Sequence, residues 1–492
     1  MALGNISFVQ EPINTTSKAP VITNWTPMVG YMVYQDDISG LFYFKLILEV
    51  RLDDASGTLI GKIKQRRNGY SVDIANNDAR AFFDLRDIVN SVLTPTVFDQ
   101  NDTGQPFRTI HKVGVNTAAK PFSVNGDNTT DGTQIQTIFV KAYQQYSETA
   151  SAIPSEDTSP TVNDTLHYME ASLPLMTERS SSADYVQSTA FNVYNGSGAT
   201  DLFLSDLQTD SGEYNLTGYI NYIQETDYHT VAFLNDNTNF DSDIDFIEVA
   251  YYTSAGALIG GKQYIPNVSG NGGEAPTDGS LTDAERLLYF GAGPGNLEAS
   301  TVTPNGGSSG DAQPSNFSNW AYYTIRGTGN ATSTIAYKTA TYYFIKEDGS
   351  CKGFKVRRLA WRNSVGGYDY FNFKLKSTQT TSINRDNYNS MIGTFNKSRY
   401  RYNNTQRGKT TRQTTAILRE TINTDYITEA QGVLIEKLLM STDVQIVQNA
   451  DTDFTEGVII TDSSFVKKTS ANDKLIQYTI NIEYANPINT NS

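Results

Sequence analysis

Several residue types that define common protein classes are rare in this chain. Among its 492 residues it has one cysteine, Cys351, three histidines and three tryptophans. A single cysteine excludes an internal disulfide framework, and no CxxC pair is present to bind zinc. Collagen-like glycine repeats and heptad repeats are also missing, which argues against a long fibre shaft. The sequence therefore excludes disulfide-stapled domains and CxxC zinc modules, and it disfavours a fibrous shaft.

Long apolar runs are missing as well. No uninterrupted apolar stretch approaches the roughly 18 residues that a membrane-spanning helix needs, so we expect no transmembrane helix and no membrane partner. The first residues, MALGNISFVQEP, lack a basic region followed by an apolar core. We therefore expect no secretory signal and a protein that is made in the cytoplasm. The missing signal also argues against a secreted glycosidase.

Positive charge is scarce relative to negative charge. The 38 Lys and Arg residues are outnumbered by 53 Asp and Glu residues, and the formal net charge is -15. Because an acidic surface repels duplex phosphates, we do not expect a nucleic-acid partner.

Aromatic residues are abundant and indicate a β-rich protein. The chain has 30 Tyr and 23 Phe, together with many Thr, Asn, Ser and Gly residues. This combination favours strands joined by turns over long helices. Alternation and turn signals predict a mainly β, multi-domain fold with β-sandwiches and a small C-terminal α+β module.

The same signals divide the chain into five segments. They are an N-terminal arm (1–30), a β-sandwich (31–150), a larger β domain with long Gly/Ser-rich loops (166–377), a basic polar linker (378–411) and an α+β assembly module (412–492). The polar, proline-containing stretch 150–165 predicts a boundary between the two β domains.

Four local patterns are specific enough to test against a structure. Residues 40–52 and 57–67 predict a β-hairpin, and residues 133–148 predict a further strand. Residues 81–93 show a short helical pattern. A longer helix is predicted at 427–441, and Thr428 is its expected N-cap.

Two short motifs resemble catalytic signatures but lack the necessary context. GALIGGKQ (256–263) nearly matches a phosphate-binding loop, yet Gln263 replaces the hydroxyl that would hold magnesium and turn-forming residues follow it. GGSSG (306–310) fits a nucleophile elbow, but linker-like sequence flanks it on both sides. We therefore predict no catalytic residue, no cofactor and no enzymatic activity.

An acidic stretch raises the question of a metal site. Asp241, Asp243 and Asp245 would share one face of an extended segment, and carboxylates are ligands for calcium. The glycine and glutamate of an EF-hand loop are absent from this stretch. We predict a solvated acidic loop and no metal site, with calcium binding as the alternative.

An aromatic stretch, LAWRNSVGGYDYFNFKLKS (359–377), predicts a hairpin with tight turn chemistry. On its second strand we place Phe371 and Phe373 on the buried face and Tyr368 and Tyr370 on the opposite face. The hairpin is interpreted as part of a sandwich interior, with a sugar-stacking platform as the alternative.

Positive charge is concentrated near the end of the predicted linker. Six basic residues are candidates for an assembly interface: Lys397, Arg399, Arg401, Arg407, Lys409 and Arg412. In an acidic protein, such a segment offers opposite charge to neighbouring subunits, including the acidic 235–245 stretch.

Four stretches of the chain resemble virion structural proteins of tailed bacteriophages, notably those of marine and Bacteroidetes-infecting phages. They are WRNSVGGYDYFNF (361–373), LPLMTERS (173–180), ETDYHTVAFLND (225–236) and TSANDKLIQYTINIEYAN (469–486).

The resemblance implies a non-enzymatic tail or baseplate component, located in the virion. Such a protein contacts other virion proteins and forms a homo-oligomeric ring or symmetric cluster. A receptor- or carbohydrate-binding tail adhesin that contacts a host surface glycan, and a neck or capsid-associated protein, are the alternatives.

Overall fold

Strands account for most of the ordered elements in the computed structural model of this chain. The structure describes residues 5–10, 21–23, 30–36, 38–66, 78–93, 122–124, 135–169, 171, 203–234, 244, 246–266, 287–297, 319–329, 337–347, 353–402, 405–447, 456–469, 475–486 and 488–489. Within these ranges the helices are α1 (Arg86–Asn90), α2 (Pro294–Leu297) and α3 (Glu429–Met440). The predicted mainly β fold class is confirmed. None of the helices in these ranges is long and apolar enough to cross a membrane.

The chain divides into two compact units. The first unit comprises Met1–Glu347 and Arg362–Asp369, and the second comprises Asp348–Trp361 and Tyr370–Ser492.

The strands up to residue 347 are β1 (Ile6–Gln10), β2 (Val21–Thr23), β3 (Gly30–Gln35), β4 (Phe42–Leu52), β5 (Leu59–Arg66), β6 (Ala79–Asp84), β7 (Phe122–Val124), β8 (Ile135–Ser147), β9 (Ser155–Met169), β10 (Thr209–Ser211), β11 (Thr217–Ile223), β12 (Thr230–Leu234), β13 (Phe246–Tyr252), β14 (Leu258–Pro266), β15 (Leu287–Gly291), β16 (Tyr322–Thr328) and β17 (Tyr342–Lys346).

Two sheets at the start of the first unit pack face to face. Their strand orders are β1-β3-β6 and β2-β9-β8-β4-β5. Both contribute to one apolar cluster, which includes Tyr31 and Phe83 from the first sheet and Leu48, Val140 and Tyr168 from the second. Burial of one face per strand is what the alternating sequence of these strands favours.

The structure bears out part of the local prediction in this region and corrects the rest. β4 and β5 pair as the predicted hairpin, and β8 is the predicted strand. The predicted boundary at 150–165 is wrong, because β9 occupies most of it and pairs with β8. Its outward-facing positions are polar, which made the strand resemble a linker. The helical pattern at 81–93 is helical only in α1, because β6 pairs with β3 before it.

The predicted N-terminal arm also contains paired backbone. β1 pairs antiparallel with β3, β2 pairs parallel with β9, and Ile6 is buried in the apolar cluster.

The first unit also contains a six-stranded sheet of order β10-β11-β17-β16-β13-β14. Its centre is rich in buried aromatics; the rings of Tyr323 and Phe344 stack at 4.9 Å, and Trp320 meets Tyr323 edge-on at 5.2 Å. A smaller sheet of order β12-β15-β7 lies in the same unit. The GALIGGKQ motif falls largely on β14, which pairs antiparallel with β13. That segment is a hairpin and not a phosphate-binding loop.

The remaining strands are β18 (Arg357–Arg362), β19 (Tyr368–Phe373), β20 (Thr378–Asn389), β21 (Thr394–Asn396), β22 (Arg399–Arg401), β23 (Lys409–Asn423), β24 (Val444–Val447), β25 (Glu456–Ile460), β26 (Thr479–Tyr484) and β27 (Ile488–Asn489). They form a sheet of order β19-β18-β24-β25-β26-β23-β20, with β27 beside β23, and a separate β21-β22 pair.

Helix α3 of the second unit confirms the sequence prediction in detail. Thr428 caps it, accepting from the Gln431 backbone N–H, while the Gln431 side chain accepts from the Thr428 N–H. This reciprocal capping box satisfies two backbone donors at the helix start. The helix buries Leu434, Ile435 and Leu438.

The face assignment on β19 is partly wrong. Phe373 is fully buried, as predicted, but Phe371 is only half-buried and Tyr370 is buried. Arg358 lies over the Tyr370 ring at 5.0 Å and donates to Asn372 at 2.8 Å. Both faces of this strand are therefore covered, and a simple inside–outside alternation does not apply to it.

Candidate interaction surface

The segment 378–411 was predicted to be a linker, and the structure shows strands there instead. β20 pairs antiparallel with β23 along its whole length, from Thr378 opposite Thr421 to Asn389 opposite Lys409. The prediction failed because the segment has no apolar alternation, which is the usual signal for a strand.

All twelve residues of β20 are exposed. Because successive side chains of a strand point to opposite faces, neither face of β20 is covered. On β23 the first buried residue is Ala416. We call residues 384–414 the basic hairpin: it comprises the outer half of β20, the β21-β22 pair and the beginning of β23.

Local contacts stabilise the basic hairpin. The Ser390 backbone N–H donates to the Gly408 carbonyl at 2.8 Å, and the Ser390 hydroxyl donates to the Arg407 carbonyl at 2.6 Å. On β21 and β22, Phe395 lies directly opposite Tyr400, with their ring centroids 5.9 Å apart. Such a cross-strand aromatic pair stabilises a two-stranded ribbon that has no core beneath it.

Large apolar side chains on this hairpin face water. Met391 is 75% exposed, Phe395 78% and Tyr402 69%. Ile392, Tyr388 and Tyr400 are exposed as well. Methionine, tyrosine and arginine are enriched in protein–protein interfaces, and a group of exposed apolar side chains marks an interaction site.

The structure brings all six predicted interface cations onto this one hairpin. Lys397 lies in the β21-β22 turn, Arg399 and Arg401 on β22, Arg407 before β23, and Lys409 and Arg412 on β23. All six are exposed, and none forms an ion pair with a residue that the structure describes.

Sequence reasoning missed one cation and all of the apolar residues of this surface. Arg385, on β20, is exposed and brings the basic hairpin to seven Lys or Arg residues and one Asp, a net charge of +6. A strand assignment for 378–389 could have found it, because the pairing places Arg385 across from Thr414.

The other sequence candidates do not assemble into a site within the described ranges. Lys262 forms an ion pair with the buried Glu248 at 3.1 Å, and Tyr264 and Tyr337 donate to the same carboxylate. GGSSG and the three aspartates Asp241, Asp243 and Asp245 lie outside the residues that the structure describes. Where residues are described, no group of three or more His, Cys, Asp or Glu side chains is placed to hold a metal ion.

A buried carboxylate pair in the first unit, Asp206 and Asp369, connects two segments that are distant in sequence. The Ser205 hydroxyl donates to Asp369 at 2.5 Å and the Asp206 backbone N–H donates to it at 2.8 Å. The Ser364 backbone N–H donates in turn to Asp206 at 2.7 Å. Burial, and secondarily the charge of Asp206, raises the pKa of Asp369 to about 7. These bonds fasten residues 362–369 to residues 204–206.

These features define a mainly β protein whose described residues include an exposed basic and aromatic hairpin. No protein-family model matches the chain, and no curated protein matches its sequence.

Proposed function

We propose that this chain is a non-enzymatic structural subunit of a tailed-bacteriophage virion, in its tail or baseplate, and that it assembles through contacts between subunits. The observation that supports an assembly role is the basic hairpin, which is ordered although no core covers either face of β20. The virion assignment is supported by the four stretches that resemble phage structural proteins.

The basic hairpin exposes large apolar side chains to water in the free chain. A two-stranded ribbon in water is marginally stable, and exposed apolar side chains favour association. Met391, Phe395 and Tyr402 would lose contact with water in a subunit interface, where apolar burial is favourable at about 25 cal/mol per Å². The basic side chains would then set the orientation of the contact.

The non-enzymatic part of the proposal rests on the sequence motifs and on the ion pair of Lys262. That lysine would have to contact a phosphate in a nucleotide site, whereas here it neutralises the buried Glu248.

The test is to look for the chain in purified particles of the phage that encodes it. Mass spectrometry of gradient-purified virions is expected to detect it at a constant ratio to the major tail protein. A cryo-EM map is expected to show it in a ring or symmetric cluster of the tail. Its absence from particles, or its presence only in the lysate as a monomer, would overturn the proposal.

A cleft in the first unit favours a second candidate function, a tail adhesin that binds a host surface glycan. The cleft has a volume of about 580 Å³ and is lined by Ile38, Leu41, Tyr43, Phe44, Lys45, Arg66, Gln145 and Pro154. Lys45 and Arg66 lie opposite each other on β4 and β5, and neither has an ion-pair partner among the described residues.

The chemistry of this cleft suits an acidic sugar. Tyr43 is 60% exposed and holds a left-handed backbone conformation (φ 57°), while its hydroxyl donates to the Ala150 carbonyl at 3.0 Å. An exposed ring beside two cations can stack on a sugar while a carboxylate meets Lys45 or Arg66. Backbone strain of this kind concentrates at functional sites.

Calorimetric titration with uronic-acid oligosaccharides tests this candidate. We expect binding that Lys45→Ala together with Arg66→Ala abolishes and that Lys376→Ala, a control on an exposed lysine elsewhere, leaves unchanged. A neutral oligosaccharide that binds equally well, or no binding of any acidic glycan, would contradict it.

A further inference from the structure

We infer that the free edge of β20 is a contact between two copies of this chain. In this contact the two β20 strands pair antiparallel around a two-fold axis, so that the sheet of one copy continues into the sheet of the other. The inference goes beyond the proposed function, because it would hold for a protein with any role.

β20 is the last strand of its sheet. The strand order places it at one end, and among the described residues β23 is its only strand neighbour. In an antiparallel pair, every second residue directs its backbone N–H and C=O away from the neighbouring strand. An outer strand therefore presents a row of backbone groups to which another chain can add a strand. Neither face of β20 hinders such an approach, because all twelve of its residues are exposed.

β20 lacks the features that usually protect an outer strand from such pairing. Those features are short length, lysine, proline and bulges. β20 has twelve residues, where about five or six are typical, and it contains neither lysine nor proline. The irregularity in its pairing with β23 is an extra residue on β23, Arg412, which lies between the partners of Asp386 and Asn387. β20 itself therefore alternates regularly along its whole length.

Two other long outer strands do carry these protective features. β5 is the last strand of the five-stranded sheet, and Lys62 and Lys64 lie on it. β14 is the last strand of the six-stranded sheet, and it contains Lys262, Pro266 and the Gly260–Gly261 pair. Of these three strands, β20 is the one that is open to pairing over its whole length.

The sequence of β20 makes the strand complementary to itself. When two antiparallel strands are related by a two-fold axis, opposite residues lie on the same face of the joined sheet, so one residue lies opposite its own copy. If that residue were Arg385 or Asp386, two like charges would meet, which is destabilising. If it is Ile383, near the middle of the strand, two aliphatic side chains meet that are each 51% exposed in the single chain. The charges and the apolar side chain therefore favour pairing centred on Ile383.

Pairing centred on Ile383 uses almost the whole strand. It joins residues 378–388 of one copy to the same residues of the other. The charged and aromatic residues then lie opposite threonines: Arg385 opposite Thr381, Asp386 opposite Thr380 and Tyr388 opposite Thr378. No two like charges lie opposite each other, and threonine, isoleucine and tyrosine all favour strands.

The positive charge that follows β20 in the chain does not oppose this contact. Because the two strands run in opposite directions, the turns that begin at Ser390 start at opposite ends of the joined sheet. Each Ser390 is seven residues from Ile383, so the two are about 46 Å apart at roughly 3.3 Å per residue. This separation is several times the screening length of about 10 Å at 0.1 M salt. A contact between two β21-β22 pairs would instead bring their arginines together, so β20 is the surface that favours a second copy.

The first experiment measures the mass of the purified full chain by sedimentation and light scattering at several protein concentrations. High salt is used, because it weakens contacts made through exposed charges. The wild type is expected to form a pair whose population rises with concentration. Ile383→Lys places two lysines opposite each other at the two-fold axis and is expected to raise the dissociation constant about tenfold or more. Its circular dichroism is expected to be unchanged, because Ile383 is exposed.

Two control variants preserve either the side-chain type or the added charge. Ile383→Val keeps a β-branched side chain at the axis and is expected to pair like the wild type. Gln413→Lys adds the same charge to an exposed position of β23, opposite Asp386 and away from the free edge, and it is also expected to pair like the wild type. If Gln413→Lys separates the copies as completely as Ile383→Lys does, the added charge and not the strand edge is responsible, which overturns the inference.

Spin labels test the register without a disruptive change at the axis. Cys351→Ser removes the native thiol, and a single label is then placed at Thr378→Cys or at Tyr388→Cys. Both positions are five residues from Ile383, so the two variants are expected to give the same distance between copies, about 33 Å. Pairing centred on Asn384 would give about 40 Å and about 26 Å, and parallel strands in register would give about 5 Å for both. Unequal or very short distances overturn the pairing centred on Ile383.

The outcomes separate this inference from the proposed function. A wild type that stays monomeric at every concentration overturns the inference, and so does one whose association is unchanged by Ile383→Lys, even if the chain is found in virions. A chain that does not self-associate but binds an unrelated extended peptide at β20 also overturns it, in favour of another partner. The absence of the chain from virions overturns the virion role, whereas equal label distances would still support the pairing of two copies.

Discussion

Gly393 lies directly against the ring of Tyr400 in the basic hairpin. A Cβ placed on Gly393 would come 2.5 Å from the ring Cζ, and the residue holds a left-handed φ of 108°. Only glycine therefore allows Tyr400 to cover this backbone and to meet Phe395 across the β21-β22 pair.

The variant Gly393→Ala is expected to disorder the tip of the hairpin and to weaken oligomer formation, with little change in the thermal unfolding of the rest of the chain. Light scattering and calorimetry on the same sample check this. Gly353→Ala is the control, because Gly353 also has a positive φ (70°) but nothing lies within 4 Å of its Cβ position. If both variants assemble equally well, the packing against Tyr400 has no role in assembly.

The loss of stability on truncating an aromatic residue of β19 is expected to follow the burial of its side chain and not its place in the strand's alternation. Phe373→Ala should lower the free energy of unfolding by about 3–5 kcal/mol, as truncation of a fully buried Phe does. Phe371→Ala should cost clearly less, because that side chain is only half-buried. Urea denaturation followed by tryptophan fluorescence measures both, and a larger cost for Phe371 would show that the inward face is misassigned.

The burial of Asp369 predicts a specific pH dependence of the free energy of unfolding. The pKa of Asp369 is raised to about 7 by burial, whereas an unfolded Asp titrates near 3.9. Between these values the native state binds the extra proton, so this group makes the free energy of unfolding fall as pH rises, by at most about 1.4 kcal/mol per pH unit.

Asp369→Asn is expected to flatten the stability profile between pH 4 and 7. Denaturant titrations at several pH values measure the slope, and Asp54→Asn, on an exposed aspartate with a lowered pKa, is the comparison. An unchanged slope in the Asp369 variant would mean that another group is responsible.

Breaking the buried ion pair of Glu420 and Arg357 is expected to lower the free energy of unfolding strongly, whereas replacing both residues with apolar ones is expected to lower it much less. Arg357 Nε lies 2.7 Å from Glu420, which also accepts from the Tyr484 hydroxyl at 2.6 Å. Arg357→Met leaves a buried carboxylate without its cation and should cost about 3–5 kcal/mol.

The double variant Arg357→Met, Glu420→Met should recover much of that loss, because no uncompensated charge remains. Thermal and urea denaturation of the wild type and of the single and double variants measure these changes in stability. A double variant no more stable than the single one would show that Glu420 is needed for its bonds to Tyr484 and Gln379.

Local signals in the sequence were enough to predict much of the fold. The β4-β5 hairpin follows from apolar residues on both sides of a turn, and α3 follows from Thr428 and Gln431, which lie three residues apart. The six candidate interface cations were recognised because they are close together in the chain. Arg385 and the exposed Met391 were not, because their position beside the other six depends on the pairing of β20 with β23.

The elements that can be predicted from sequence are those with a local cause: turn chemistry, helix caps, the alternation of strands buried on one face and the positions of charge. What covers each face of a strand depends on tertiary packing. Tyr370 is buried and Phe371 is half-buried because both faces of β19 are covered, while β20 is a strand with no covered face at all. Ser205 and Asp369 meet across 164 residues of sequence. Burial of this kind depends on distant segments brought together by folding, and no local pattern encodes it.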